Sequence, residues 1–302
     1  MSSSFEVWMK EVQARVEAAL DHLLPKASLA PTRLHEAMRY AALGGGKRVR
    51  PLLAFAAGEV AGADVARLDI VSAAIECIHA YSLVHDDMPC MDDDVLRRGR
   101  PTVHVQYDEA TALLVGDSLQ TEAFQLIADH VLADDARVQL EMARILAQAS
   151  GSRGMAGGQA IDLDAVGKSL TLPELEFMHI HKTGALIRAS VALGARCSGG
   201  AGLSAAELEH LDRYARCIGL AFQVVDDVLD YEAPTESLGK TAGKDAANNK
   251  PTYVSLLGLG RAKEMARELR DEAAAALARL GGTGGRTQRL AELADFVVLR
   301  RF

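Results

Sequence analysis

Apolar residues at helical spacing run from one end of this chain to the other, and strand-type alternation is missing. Residues 5–23 place Val7, Val12, Val16, Ala19, Leu20 and Leu23 at intervals of three to four, the period of one helix face. The same spacing predicts helices over 32–43, 51–61, 66–87, 109–132, 135–150, 172–195, 204–231, 252–279 and 287–299. Ala supplies 51 of the 302 residues and Pro only 8, a balance that suits helix interiors. Asp135, Thr171 with Glu174, and Ser204 with Glu207 read as helix starts, because their oxygens can accept from the first-turn N–H groups. Gly44-Gly45-Gly46, Gly199-Gly200 and the glycines at 281–282 and 284–285 read as stops. No linker, composition shift or fixed-period repeat divides the chain, so the expected fold is all-α, one domain over residues 1–302. The loops expected at 89–103, 164–171 and 232–249 are long enough to carry function.

Composition removes several classes. No run of 18 apolar residues is present, so a membrane-spanning helix is not expected. Residues 1–24 hold Glu6, Lys10, Glu11, Arg15 and Glu17, which breaks any secretory h-region. The net charge of −8 disfavours nucleic acid as a partner. Cys77, Cys90, Cys197 and Cys217 form no CxxC pair, so neither a zinc site nor a disulfide framework is indicated, and the cytoplasm is the expected setting.

The densest chemistry is His85-Asp86-Asp87-Met88-Pro89-Cys90-Met91-Asp92-Asp93-Asp94, with five carboxylates in nine residues. They repel one another unless a cation is present. The apolar residues leading in (Ile75, Ile78, Ala80, Leu83, Val84) make this the end of a buried helix, and Arg97, Arg98 and Arg100 follow. On an unbroken helix Asp86 and Asp92 stand about 240° apart. Pro89 disfavours helix at Met88, and the resulting deformation is expected to swing Asp92 back toward Asp86. In the second cluster, Gln223 to Asp230, Asp226, Asp227 and Asp230 fall within about 100° of one another on one helix face. Two such clusters suit Mg²⁺, which takes one or two carboxylates, keeps waters and completes its shell with substrate phosphates. An EF-hand loop and the Glu-x-x-His pairs of a di-iron bundle are both absent.

Gly44 to Pro51 joins a backbone free to approach an anion with the charges of Lys47, Arg48 and Arg50. It is not a P-loop: Ala41 stands where Gly is needed and Arg48 where Ser or Thr is needed. Gly239-Lys240-Thr241 fails likewise, with Pro234 upstream. His79, Ser82 and Asp86 share a helix face, and Lys182 sits in an otherwise apolar helix where it needs a partner. Gly116-Asp117 and Gly157-Gly158-Gln159 read as helix ends and close packing, and Cys90 as a gap filler.

The set of motifs, in order, resembles the short-chain bacterial trans-isoprenyl diphosphate synthases. The segments are GGGKRVRP (44–51), HAYSLVHDDMPCMDDDVLRRGRPTVH (79–104), GDSLQTEAF (116–124), GGQAIDLD (157–164), HKTGALI (181–187), GLAFQVVDDVLD (219–230) and LGKTAGKD through KPTYVSLLG (238–258). The resemblance implies packed helices around a deep central cavity, a homodimer, and three Mg²⁺ held with an allylic diphosphate between facing Asp-rich motifs. It makes Asp86, Asp92 and Asp226 metal ligands, with Asp87, Asp227 and Asp230 supporting. It puts Arg97, Lys182, Gln223 and Lys240 on the allylic substrate, and Gly46, Lys47, Arg50, His79 and Arg98 at the diphosphate of isopentenyl diphosphate. Thr183 is placed to stabilise a developing cation and Lys250 to help close the mouth. Tyr81 and Ser82, just before Asp86, are expected to form the floor of the tail cavity, in the pattern of farnesyl-making members. The chain ends Leu299-Arg300-Arg301-Phe302, a departure from the basic tail common in that family. A terpene cyclase would pair one Asp-rich motif with an Asn/Ser/Glu motif, and a non-catalytic modulator subunit tends to lose both. Intact acids at Asp226, Asp227 and Asp230 speak against each.

Overall fold

Two helices, apolar on almost every side, form the centre of the molecule. The computed structural model describes residues 3–198, 202–232, 251–280 and 285–299. Helices α1 (Ser3–Leu23) and α2 (Thr32–Ala42) lead into α3 (Val49–Ala61) and α4 (Val65–Asp86). In α3 and α4 the buried residues point in all directions, from Leu52, Leu53 and Phe55 to Val71, Ile75, Ile78 and Val84. A helix hydrophobic all round belongs inside, and neighbours cover this pair: α1, α2, α6 (Glu109–Asp129) and α10 (Ala185–Arg196). Helix α11 (Ala205–Glu232) runs antiparallel to α10 and to α13 (Leu259–Ala278), as the pairs Arg188–Asp212, Arg213–Glu272 and Lys263–Glu232 show. Its C-terminal half packs through Val224, Val225 and Val228 on a smaller core with Leu175, Met178 and Tyr253.

The all-α expectation holds, and so do the caps. Asp135 accepts from the Arg137 N–H at the start of α7 (Ala136–Ser150). The N–H of Thr171 reaches Glu174 at 2.8 Å before α9 (Leu172–His179), and Ser204 and Glu207 bond each other reciprocally before α11.

Four details differ from the sequence reading. The stretch 172–195 is not one α-helix, because a π turn (Ile180–Gly184) joins α9 to α10. Gly258, at φ +78°, splits 252–279 into α12 (Tyr253–Leu257) and α13. Leu96–Arg97 pairs antiparallel with Arg100–Pro101 in a short hairpin, followed by α5 (Val103–Gln106). Residues 155–164 form helix α8 (Met155–Asp164). Its buried face carries Gln159 and Asp162 beside Gly158, so no apolar 3.6-residue period marks it. The chain ends its described part in α14 (Gln288–Leu299). No helix among the described residues is long and apolar enough to cross a membrane.

Candidate active site

Helix α4 stops at Asp86 and the chain turns back on itself. The Asp92 N–H donates to the Asp86 carbonyl at 2.9 Å, and that of Asp94 to the Asp87 carbonyl at 3.2 Å. Asp93 takes a left-handed φ of 51° to allow it. This is the deformation expected from Pro89, and it returns Asp92 to the neighbourhood of Asp86. Burial, reinforced by the charges of Asp92 and Asp87 against the pull of Lys182 and Arg97, raises the Asp86 carboxyl to about 6. Asp87 is turned elsewhere: it is 3% exposed and accepts from Arg97 Nε at 2.8 and 2.9 Å. Its carboxylate holds Arg97 at the edge of the acidic turn.

The π turn aims the next group. Lys182 Nζ meets Asp162 of α8 at 2.6 Å, the partner that a lysine in an apolar helix requires. Thr183 Oγ1 donates to Gln223 Oε1 at 3.2 Å, and Gln223 Nε2 donates to Asp227 Oδ1 at 3.2 Å. Asp227 Oδ2 in turn accepts from the Tyr253 N–H at 2.8 Å. One hydrogen-bonded chain therefore ties the π turn to α11 and α12. A π turn widens the backbone and redirects side chains, and such turns concentrate at functional sites.

Gly158 makes this geometry possible. A Cβ there would lie 2.5 Å from the Lys182 Cα and 2.8 Å from the His181 carbonyl carbon. Gly158→Ala is expected to push α8 off the π turn, lower stability by about 1–3 kcal/mol and cut turnover more than tenfold. Thermal unfolding read beside initial rates checks this. Wild-type values for both would exclude the close packing as a constraint.

The basic residues gather on the other flank. Arg48, at φ +48°, points inward, pairs with Glu76, meets Glu17 at 2.7 Å and donates to the Ala42 carbonyl at 2.8 Å. It acts as a clamp beneath the Gly44–Gly46 loop, whose Gly44 N–H is also held by Glu17 at 2.8 Å. Arg98 donates to the Gly45 carbonyl at 2.8 Å, and its guanidinium packs so near Gly46 that a Cβ there would meet it at 2.5 Å. Lys47 is exposed at the rim. Arg50 is lowered by burial, with Glu76 and Asp226 offsetting it, and Arg98 adding repulsion. Burial, and then the charges of Arg50, Arg98, Arg97 and Arg48, hold His79 well below the usual imidazole range. A neutral imidazole among arginines, with Glu76 the buried acid in their midst, is a setting short of negative charge.

Both flanks open on one cavity of about 380 Å³. Arg50, His79, Asp86, Lys182 and Thr183 all line it. Tyr81 and Ser82 of α4 and Met155, Ala156, Ala160 and Leu163 of α8 form the less polar part of its wall. Tyr81 is nearly buried, with its hydroxyl toward the Ser150 carbonyl at 3.5 Å, and Ser82 Oγ donates to the His79 carbonyl at 2.9 Å. Asp226 and Asp230 are half-buried on α11, and the charge of Asp226 is felt at Arg50. Lys240, Lys250 and Arg300 to Phe302 lie outside the described residues.

No three carboxylate, imidazole or thiol groups converge on a single point among the described residues. Donors that come singly or in pairs from two motifs fit Mg²⁺, which leaves positions for water and phosphate. The mutual repulsion of Asp86 and Asp92 is what a bound cation would relieve.

Three residues were given no functional role in the sequence reading, Gln159 having been read as a helix end although it lies inside α8. Asp162 was signalled by its i, i+3 spacing from Gln159, which places both on one face of α8. Gln159 lines the cavity with both amide atoms buried and unpartnered. Glu76 was signalled by being a lone acid in the apolar run Ala73 to Ile78.

The polyprenyl synthetase family matches residues 31–278. A probable farnesyl diphosphate synthase of Bradyrhizobium diazoefficiens is 52% identical over 289 residues, 95% of this chain and 86% of that one. The farnesyl diphosphate synthase of Escherichia coli is 50% identical over 283 residues, 93% of this chain and 94% of its own. Among solved structures, the Helicobacter pylori geranyltransferase complexed with magnesium and isoprenyl diphosphate superposes with a TM-score of 0.86 at 34% identity, covering 99% of each chain. With the family match spanning most of its length and relatives this similar along nearly all of it, the chain belongs to the polyprenyl synthetase family.

Proposed function

We propose that this protein condenses isopentenyl diphosphate with an allylic diphosphate, dimethylallyl or geranyl, and releases chiefly farnesyl diphosphate. The observation that carries the reading is the shared cavity: the acidic turn, the π turn and the arginine flank all border it, with a less polar wall beneath. Relatives at 50–52% identity named farnesyl diphosphate synthase support the product.

Asp86, Asp92 and Asp226, with Asp87, Asp227 and Asp230 supporting, would hold three Mg²⁺. Bound there, Mg²⁺ supplies charge that stabilises the departing pyrophosphate. Arg97 and Lys182, each held by an ion pair, add cations on the same leaving group where its charge develops, and the family resemblance adds Lys240, which lies outside the described residues. Asp162 keeps Lys182 aimed. Cleavage of the allylic C–O bond leaves a carbocation, and the hydroxyl oxygen of Thr183, which lines the cavity and is oriented by Gln223, offers it a dipole without a strong nucleophile. Arg50, Arg98, Lys47 and neutral His79, at the Gly46 loop, hold the second diphosphate; the resemblance gives Lys250, outside the described residues, a part in closing the mouth. The double bond of isopentenyl diphosphate attacks C1 of the cation, and loss of a proton from the adduct, taken by the released pyrophosphate, forms the new double bond. The same reading has the protein as a cytoplasmic homodimer, with exposed Val105, Leu113 and Leu114 offering an apolar face to a second copy.

Purified protein incubated with Mg²⁺ and both diphosphates tests this, with a prenyl diphosphate extended by five carbons as the expected product. Pyrophosphate release without isopentenyl diphosphate would mark a cyclase, and no turnover a modulator subunit. Ser82 lies one helical turn, about 6 Å, before Asp86. Ser82→Phe is therefore expected to move most of the product from farnesyl to geranyl diphosphate. Unchanged chain length by mass spectrometry would remove Ser82 from the cavity floor.

A further inference from the structure

A second cavity, of about 490 Å³, lies on the far side of the π turn, between α10, α11 and α13. That volume is in the range of small-molecule sites. Ile180 and Gly184 of the π turn, Leu220 of α11 and Leu269 of α13 line it at one end. Arg213 of α11 and Arg279, just past α13, line it at the other, roughly 10–15 Å away along the antiparallel helices. The cavity thus passes from an apolar end to one where Arg188, Arg213, Arg216 and Arg279 outnumber the acids Glu209 and Glu272 that also line it.

The cations at its far end are unevenly matched. Arg188 and Arg216 share Asp212, at 2.8 and 3.3 Å. Arg213 reaches Glu272 only at 3.6 Å, and Arg279 makes no ion pair with a described residue. An occupant complementary to this lining carries an anionic head and an apolar tail. The π turn meanwhile has no slack on this side: a Cβ at Gly219 would stand 3.0 Å from the Gly184 Cα. A tail seated against Ile180 and Gly184 would displace the turn, and with it the Lys182–Asp162 and Thr183–Gln223 contacts on its catalytic face.

We propose that this cavity is a regulatory site for an amphipathic phosphate with a short linear hydrocarbon tail, and that filling it inhibits turnover. The inhibition arm rests on the proposed condensation; the binding arm does not. Isothermal titration with decyl phosphate, below its micellar concentration and in EDTA so that the Asp-rich site lacks Mg²⁺, is expected to give one site per chain. Leu269→Trp, which fills the apolar end, and Arg279→Glu, which reverses charge at an exposed position, are each expected to weaken binding at least tenfold. Arg279→Glu is expected to leave uninhibited kcat within twofold, whereas Leu269→Trp, occupying the apolar end as a bound tail would, is expected to lower it. With Mg²⁺, decyl phosphate is expected to inhibit non-competitively against the allylic diphosphate. Absence of binding, equal affinity in both variants, or purely competitive inhibition that persists in both would overturn the proposal. If the protein condensed nothing, calorimetry on the wild type and the two variants would still decide the site.

Discussion

Replacing Asp86 or Asp226 with Ala is expected to lower kcat about a thousandfold while the protein stays folded. Loss of one metal-holding carboxylate removes on the order of 4 kcal/mol of transition-state stabilisation, and each 1.4 kcal/mol is a factor of ten. Stability should move the other way for Asp86. Its folded-state value, about 6, lies above the ordinary aspartate value, so the folded protein binds the proton more tightly than the unfolded chain. Ionised Asp86 therefore destabilises the metal-free fold above pH 6, and the penalty fades as pH falls toward the unfolded value. In EDTA at pH 7.5, Asp86→Ala should melt no lower than wild type. Asp227→Ala is the contrast, because Asp227 holds the Tyr253 N–H and Gln223 and its loss should lower Tm. Rates of pyrophosphate release with Mg²⁺, read beside thermal unfolding in EDTA, separate these effects. Near-normal turnover in purified Asp86→Ala or Asp226→Ala would sink the metal assignment.

The acidic motifs were legible in sequence because their signal is local. Pro89 next to an Asp run forces a turn, and Asp226, Asp227 and Asp230 share a helix face by arithmetic alone. Helix positions were legible for the same reason, since apolar period and caps are written within a few residues. What stayed hidden depends on partners distant in the chain. The π turn has no composition of its own; it exists where α8 crowds the backbone at Gly158 and Lys182 is drawn to Asp162. Helix α8 went unread because its inward face is polar, and only the site it lines explains buried Gln159 and Asp162. In the basic segment at 44–51 the resemblance assigned Gly46, Lys47 and Arg50 to the anion and gave Arg48 no role; Arg48 turns inward to Glu76 and Glu17, 28 and 31 residues away in sequence. Composition alone carries no sign of that bracing role, because its partners lie far off in the sequence.

Glu76→Ala is expected to be among the most damaging single changes outside the acidic motifs, at about 3–5 kcal/mol of stability. Glu76 is 3% exposed and faces Arg48, whose side chain is 5% exposed, so its removal strands a buried guanidinium with Glu17 as its remaining acid. Arg50 loses its main counter-charge in the same step, leaving the repulsion from Arg98 less opposed. For a chain of this size the melting temperature should fall by roughly 5–8 °C. The functional consequence follows from what the clamp supports. Arg48 and Glu17 together fix the Gly44–Gly46 loop, against which Arg98 is seated. A loosened loop should raise KM for isopentenyl diphosphate at least tenfold, while kcat at saturation changes much less, because Asp86, Lys182 and Thr183 belong to other elements. Glu76→Gln keeps an acceptor but not the charge, and should fall between wild type and Glu76→Ala in both readouts. An unchanged Tm in Glu76→Ala, or a kcat loss as large as the KM rise, would show that Glu76 does not brace the diphosphate loop through Arg48.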